Sequence, residues 1–355
     1  MRISFILPGP ARRPIGGYRV VYEYADRLAG RGHGVTVLHA LVVPWTTYRR
    51  PLFVRRLAHS IMRTYLPRWF SFNNQVELKM IPRITDKYIP DGDAIVATWW
   101  ATSYPVSELS KKKGQKFYLI QHYETWGGPP ELVNRSYSLG LRNIVISKWL
   151  KETLEGLGAK VFAHIPNGIN FDLFKLEIPI ESRDPLSVVM MYHPAEWKGA
   201  KVGLSAIEIA RNRFPRLKVT LFSTYPRPAG LPSWIRFVQD PPQGELVGLY
   251  NQHAIFISSS VVEGWCLPAA EAMACGCAVC TTDNGGVRDF AKPGETALVS
   301  PPRNPEVLAE NLIRLLEDAA FRVELARRGH AHIRDFTWER AVEKFERCLI
   351  EVAES

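Results

Sequence analysis

Residues 254–282 read AIFISSSVVEGWCLPAAEAMACGCAVCTT. An apolar run (AIFISS, 254–259) opens the stretch, a turn punctuated by Gly264 and Pro268 follows, and EAMACG leads to a second apolar run, AVCTT (278–282). Short apolar runs bounded by turn signals suit buried strands of a parallel sheet, and the residues between them suit a crossover helix. The stretch predicts strand, loop, helix and strand in that order.

The same rhythm extends in both directions. Upstream in this half lie LSVVMM (186–191) and KVTLFS (218–223). An earlier series, ISFIL (3–7), VTVLH (35–39), AIVAT (94–98), FYLIQ (117–121) and IVIS (144–147), is set off by a stretch rich in proline and acids near 166–185. Alternating βα units predict parallel sheets covered on both faces. At 355 residues the chain is long for a single core. The expected architecture is α/β, two tandem Rossmann-like domains facing an interdomain cleft: 1–165, 166–335, and a C-terminal helix over 336–355 packing back toward the first domain. In open sheets of this kind ligands bind beyond the carboxyl ends of the strands.

Composition narrows the class. An apolar content of 46% with 23% charged residues is that of a globular protein. The opening MRISFILPGP is too brief for a signal-peptide core, and no window reaches about 18 uninterrupted apolar residues, so a cytoplasmic protein is expected, soluble or peripheral on the inner face of the cell membrane. Five cysteines, an odd number, fit a reducing compartment. Cys275, Cys277 and Cys280 lack a second ligand pair and read as packing residues rather than a zinc site. A net charge of +10 calls for an anionic partner. No nucleic-acid-reading module is present, and nucleic acid is not expected as a partner. RRPLFVRRLAHSIMRTYLPRWF (49–70) carries six arginines, no acid, and apolar residues at helical spacing. It reads either as a helix drawn to an anionic membrane surface or as one packed on the first domain.

The chemistry concentrates between Glu263 and Glu271. Loop amides from Gly264 through Trp265, Cys266 and Leu267 to Pro268, together with the tip of the following helix, would offer N–H groups to a diphosphate. Pro268 in a first helical turn forfeits no hydrogen bond. The flanking carboxylates can accept from sugar and ribose hydroxyls. Taken singly, Glu263 would merely end a strand and Glu271 decorate a helix.

EGWCLPAAEAMACGCAV (263–279) resembles the E-x7-E signature of the retaining family 4 glycosyltransferases of GT-B fold. Other stretches resemble that family in order: Gly16-Gly17 after the first strand, PNGINFDLF (166–174), WKG (197–199), DNGGVRDF (283–290) and DFTWERAVEKF (335–345). The resemblance implies transfer of a sugar from a nucleotide-sugar donor, with retention of configuration, to a hydroxyl of a glycan or lipid-linked acceptor in cell-surface polysaccharide or glycolipid synthesis. It implies catalytic roles for Glu263, Lys198 and His122. It implies donor contacts at Gly16, Gly17, Asn167, His193, Lys198, Gly264, Trp265, Cys266, Leu267, Pro268 and Glu271. Lys198 would neutralise the diphosphate, Glu271 hold the ribose, and His122, in YLIQHYETW (118–126), approach the sugar. His193 stands where the family carries Arg, which exchanges a permanent, forked cation for a titrating one. Asn170 replaces an Asp of the family's P-N-G-x-D pattern. No Asp-x-Asp follows a strand, since Asp91-Gly-Asp93 precedes one, so neither a metal nor any other cofactor is expected. Competing readings are a GT-B epimerase or phosphorylase, and a non-catalytic subunit that binds nucleotide sugar.

Overall fold

A computed structural model of the chain describes residues 1–11, 13–45, 67 and 69–353. All but Pro67, Trp69 and Phe70 of the amphipathic stretch 49–70 lies outside the described residues. The chain divides into two compact units: unit 1 comprises Met1–Asn167 with Trp338–Ser355, and unit 2 comprises Gly168–Thr337.

Unit 1 runs β1 (Arg2–Leu7), α1 (Gly16–Gly30), β2 (Gly34–Val42), β3 (Val76–Arg83), β4 (Ala94–Ala97), α2 (Trp100–Glu108), β5 (Gln115–Ile120), α3 (Pro130–Ser136), β6 (Arg142–Val145), α4 (Lys148–Gly156) and β7 (Val161–His164). Unit 2 runs β8 (Ser187–Met191), α5 (Ala200–Arg213), β9 (Lys218–Ser223), β10 (Arg236–Gln239), α6 (Gln243–Gln252), β11 (Ile255–Ser258), α7 (Leu267–Ala274), β12 (Ala278–Thr282), β13 (Leu298–Ser300), α8 (Pro305–Glu317) and α9 (Ala319–Ile333). The last helix, α10 (Trp338–Ala353), belongs to unit 1.

Among the described residues every strand pairing is parallel. The sheet of unit 1 has the order β3-β2-β1-β4-β5-β6-β7 and that of unit 2 the order β10-β9-β8-β11-β12-β13. Both are doubly wound, and the strand order reverses between β1 and β4 in one unit and between β8 and β11 in the other. At such a reversal the loops leaving the two central strands diverge, and the crevice they open is where ligands bind.

The central strands are uniformly apolar because both faces are covered. Ala94 to Ala97 and Ile255 to Ile257 are at most 1% exposed. The edge strands differ: β3 alternates buried and open positions along VELKMIPR, and all four residues of β10 are at least partly exposed. Helix starts are set by local chemistry. The Asn304 side chain accepts from Val307 N at 3.0 Å to open α8, and Asp318 accepts from Phe321 N at 2.8 Å to open α9. The helix α10 docks through Phe345, whose ring lies 4.6 Å from Tyr24 and 6.0 Å from Phe5, and through Trp338 at 5.3 Å from Tyr24. An Arg31–Glu346 ion pair and a His33–Glu346 hydrogen bond, each at 2.6 Å, tie it to the loop after α1.

Candidate functional site

The reversal point of unit 2 gathers the residues singled out above. After β8 the chain passes His193 and a 3-10 turn, Glu196–Lys198, before α5. After β11 it passes Ser259 and Ser260 to reach Glu263. Val261 N donates to Trp197 O at 2.7 Å and so joins the two loops directly. Gly199 allows the approach: its φ is +62°, and a Cβ there would fall 1.9 Å from Ser259 O.

At this junction Lys198 Nζ donates to both carboxylate oxygens of Glu263, at 2.7 and 2.8 Å. Ser260 Oγ donates to the same carboxylate at 2.7 Å, and Glu263 N donates to Asn284 O at 2.9 Å, which fixes the acid from the backbone side. Thr282 Oγ1 in turn holds Ser260 O. The Glu263 side chain is 8% exposed and that of Lys198 21%. The carboxylate is thus mostly buried and bonded to two side chains, whereas the Lys198 side chain stays partly exposed. A small hollow lies over the pair, lined by Lys198, Ser258, Ser260, Glu263, Cys266 and Pro268 among others.

The helix α7 starts beside this hollow. Cys266, its N-cap, has a φ of +56°, an uncommon conformation for a side-chain-bearing residue, and no side chain caps the first turn. Pro268 occupies that turn, as the sequence predicts. The first helical turn carries no acid, so the positive end of the helix is not neutralised locally.

His193 sits beside the pair, and its imidazole pKa is lowered, first by burial and then by the Lys198 charge. Ala195 N donates to its Nδ1 at 3.0 Å. A backbone N–H can only donate, so Nδ1 is the acceptor, and the neutral ring carries its proton on Nε2. Its ring and that of Tyr225 form a T-shaped pair at 4.7 Å.

Three sequence-predicted residues have environments different from that of a hollow-lining side chain. Glu271 is 3% exposed, lies one turn further along α7, and takes a 3.4 Å hydrogen bond from Tyr250 Oη. The indole of Trp265 is 2% exposed, at 5.1 Å from Phe290 and 5.8 Å from Phe336, where it fills the core. Asn167, 2% exposed, ends the first segment of unit 1. The cysteines pack as expected. Cys275, Cys277 and Cys280 are buried, burial pushes all three thiols up, and Cys277 Sγ donates to Tyr250 O at 3.0 Å. Among the described residues no group of three or more His, Cys, Asp or Glu side chains is placed to hold a metal.

In unit 1 the loop bearing Gly17 meets Gln121, the residue before His122. Gly16 and Gly17 open α1. A Cβ on Gly17 would lie 3.5 Å from the Gln121 amide, next to His122, so the loops after β1 and β5 touch. The His122 ring donates from Nδ1 to Tyr123 O at 3.1 Å and is flanked edge-on by Trp126 and Trp149. A separate groove, lined by Tyr137, Arg142, Lys160 and Phe162, lies at the amino ends of β6 and β7, away from these loops.

Sequence reasoning missed Ser260 and Tyr250, the hydroxyl partners of the two acids. The run Ser258-Ser259-Ser260 after an apolar strand was the available signal for the first. Nothing local marked the second, which is 21 residues from Glu271 and on another helix.

Residues 227–332 match the family model described as Glycosyl transferases group 1. The O-antigen biosynthesis protein RfbC of Myxococcus xanthus is 25% identical over 270 residues, which cover 74% of this chain and 21% of that protein. The chain thus spans about a fifth of the length of this curated relative. Among solved structures, sucrose-phosphate synthase of Thermosynechococcus elongatus superposes with a TM-score of 0.73 at 18% identity, covering 100% of both chains. HepE of Anabaena, in complex with UDP-glucose, superposes with a TM-score of 0.74 at 14% identity, covering 99% of this chain and 100% of that one. The fold is that of the GT-B glycosyltransferases.

Proposed function

We propose, on the premise that residues 227–332 carry the group 1 glycosyltransferase domain, that this chain is a retaining glycosyltransferase using a nucleotide-sugar donor. Its acceptor is a hydroxyl of a glycan or lipid-linked saccharide, and its setting is the synthesis of cell-surface polysaccharide, in keeping with the O-antigen relative. The observation that carries this reading is the Lys198–Glu263 pair at the reversal point of unit 2, beside an uncapped helix start.

Each residue then has a task. Loss of the nucleoside diphosphate leaves charge on the terminal phosphate as the sugar acquires oxocarbenium character. Preorganised donors aimed at that charge stabilise it most where water is excluded. Lys198, already positioned by two bonds to Glu263, supplies the cation. His193 supplies an Nε2–H donor, and the first amides of α7 supply partial positive charge. Glu263, relieved of Lys198 as the phosphate claims it, accepts a hydroxyl of the transferred sugar. Glu271 accepts from the ribose, and the family resemblance gives His122 and the Gly16-Gly17 loop a role toward the sugar. No step calls for a metal or other cofactor.

A thermal-shift screen against UDP, GDP, ADP and dTDP and their sugars tests donor use, because selective binding to the folded state raises its melting temperature. One nucleotide family should stabilise the protein. NMR of the transfer product should show the donor's anomeric configuration; an inverted product would overturn retention. We further propose action at the cytoplasmic membrane face, with residues 49–70 drawn to anionic lipid. Equal sedimentation with neutral and anionic vesicles would remove that part.

A further inference from the structure

We propose that the groove at the amino ends of β6 and β7 is a second binding site, and that it takes a small aromatic molecule carrying a phosphate. It lies at the edge of the unit 1 sheet opposite the loop that bears His122, and it does not depend on the glycosyltransferase reading.

The groove, of about 500 Å³, runs between the turn that leads from α3 into β6 and the turn that leads from α4 into β7. Small-molecule sites span roughly 300–1,000 Å³, so a compact ligand fits. Strand register sets the walls. Phe117 pairs with Arg142, and Asn143 with Val161, so Arg142 and Lys160 stand side by side where two neighbouring strands begin. Side chains alternate along a strand, which puts Phe162 on the same face as Lys160.

These walls are braced from within. Asn143, 2% exposed, donates from Nδ2 to Tyr137 O at 2.7 Å and to Lys160 O at 2.9 Å, which ties one turn to the other. Arg142 is held by an amide and a ring rather than by a carboxylate. Its Nη1 donates to Gln115 Oε1 at 3.0 Å, and its guanidinium lies 5.8 Å from the centre of the Phe117 ring. The Phe117 ring meets that of Phe162 at 6.3 Å, edge toward face. Phe162 itself is 39% exposed, large and apolar though it is.

Charge and shape together select the ligand. None of the described residues lining the groove is acidic. The carbonyl ends of α3 and α4 reach the same edge, but local caps close them: Tyr137 O accepts from Asn143, and Glu155 O and Leu154 O accept from Gly158 N and Ala159 N, both at 2.9 Å. Two full positive charges therefore set the sign, and both can serve one dianion. An inorganic anion would leave the Phe162 ring in water. A hydrocarbon would leave both cations unpaired. A ring joined to a phosphate engages everything the groove offers, with the ring against Phe162 and the phosphate between Arg142 and Lys160.

The test is isothermal calorimetry of the full chain with 1-naphthyl phosphate, inorganic phosphate and 1-naphthol. The phosphate ester should bind at one site, and each of the other two at least about tenfold more weakly, because neither fills both halves of the groove. Arg142→Gln, Lys160→Gln and Phe162→Ala should each weaken the ester about fivefold or more, and Phe162→Tyr should restore most of the last loss. Lys160 and Phe162 are exposed, so their variants should melt with the parent protein. Lys198→Ala should bind the ester as the parent does, which separates this site from the loops of unit 2. Failure of the ester to bind, equal affinity in the parent and all three groove variants, or a loss seen only in Lys198→Ala would overturn the site.

Discussion

His193 shows how one side chain sets the electrostatics of the donor site. Burial and the neighbouring Lys198 hold its pKa below the ordinary 6.5, so the free protein at neutral pH presents a neutral ring. A diphosphate would favour the charged ring, so binding takes up a proton, and affinity should tighten as pH falls from 7 toward 5.5. Calorimetric titration across that range should give a slope in the parent protein and a flatter one in His193→Gln. Equal slopes would remove His193 from the phosphate contacts. The pairing of Lys198 with Glu263 was not legible in the sequence, because 65 residues separate them and only the reversal of strand order brings their loops together. Their separate candidacies were legible, from a Lys-Gly step ahead of a helix and an acid at the end of an apolar strand. The reading of Trp265 concerns its loop amide, and its indole, 2% exposed, packs in the core.

The helix α2 and the loop after β5 carry a second charge effect. Burial raises the carboxyl of Glu124 to about 8, against the lowering pull of the Trp100 N–H. Its unfolded value is near 4.5, so the folded state is penalised progressively as pH climbs from there through about 8. Glu124→Gln should therefore melt higher than the parent above neutrality, with the two curves converging near pH 4. Parallel curves would contradict this. The helix α10 makes a stronger demand. Phe345 is 0% exposed among Phe5 and Tyr24, so Phe345→Ala should cost about 3–5 kcal/mol in the transition that unfolds unit 1. A loss under about 1 kcal/mol in denaturant titration would show that α10 is dispensable. The strands read correctly from sequence were those buried on both faces, whose residues form unbroken apolar runs. The strands β3, β7, β10 and β13 escaped notice because they are short or lie at sheet edges. In β3, Glu77 and Lys79 interrupt the apolar pattern, and β13 is only three residues long.

At the scale of the whole molecule, two doubly wound sheets each supply a reversal point, and the residues of interest cluster at both. The residues proposed to hold the nucleotide, Lys198, His193 and Glu271, lie in unit 2, whereas His122, Gly16 and Gly17 lie in unit 1. Nucleotide affinity and sugar transfer should therefore separate on mutation. His122→Ala should keep nucleoside diphosphate affinity and lose turnover, a pattern read from calorimetry beside a transfer assay. The net charge of +10 suits an anionic donor and leaves cations to spare for an anionic surface. The central claim is that Lys198, set by Glu263 at the start of α7, grips a diphosphate, and calorimetry of the four nucleoside diphosphates against the parent chain and Lys198→Ala tests it most directly. The expected result is one-site binding of at least one nucleotide, weakened about 100-fold by the substitution; binding of none of the four, or equal affinity in both proteins, would contradict it.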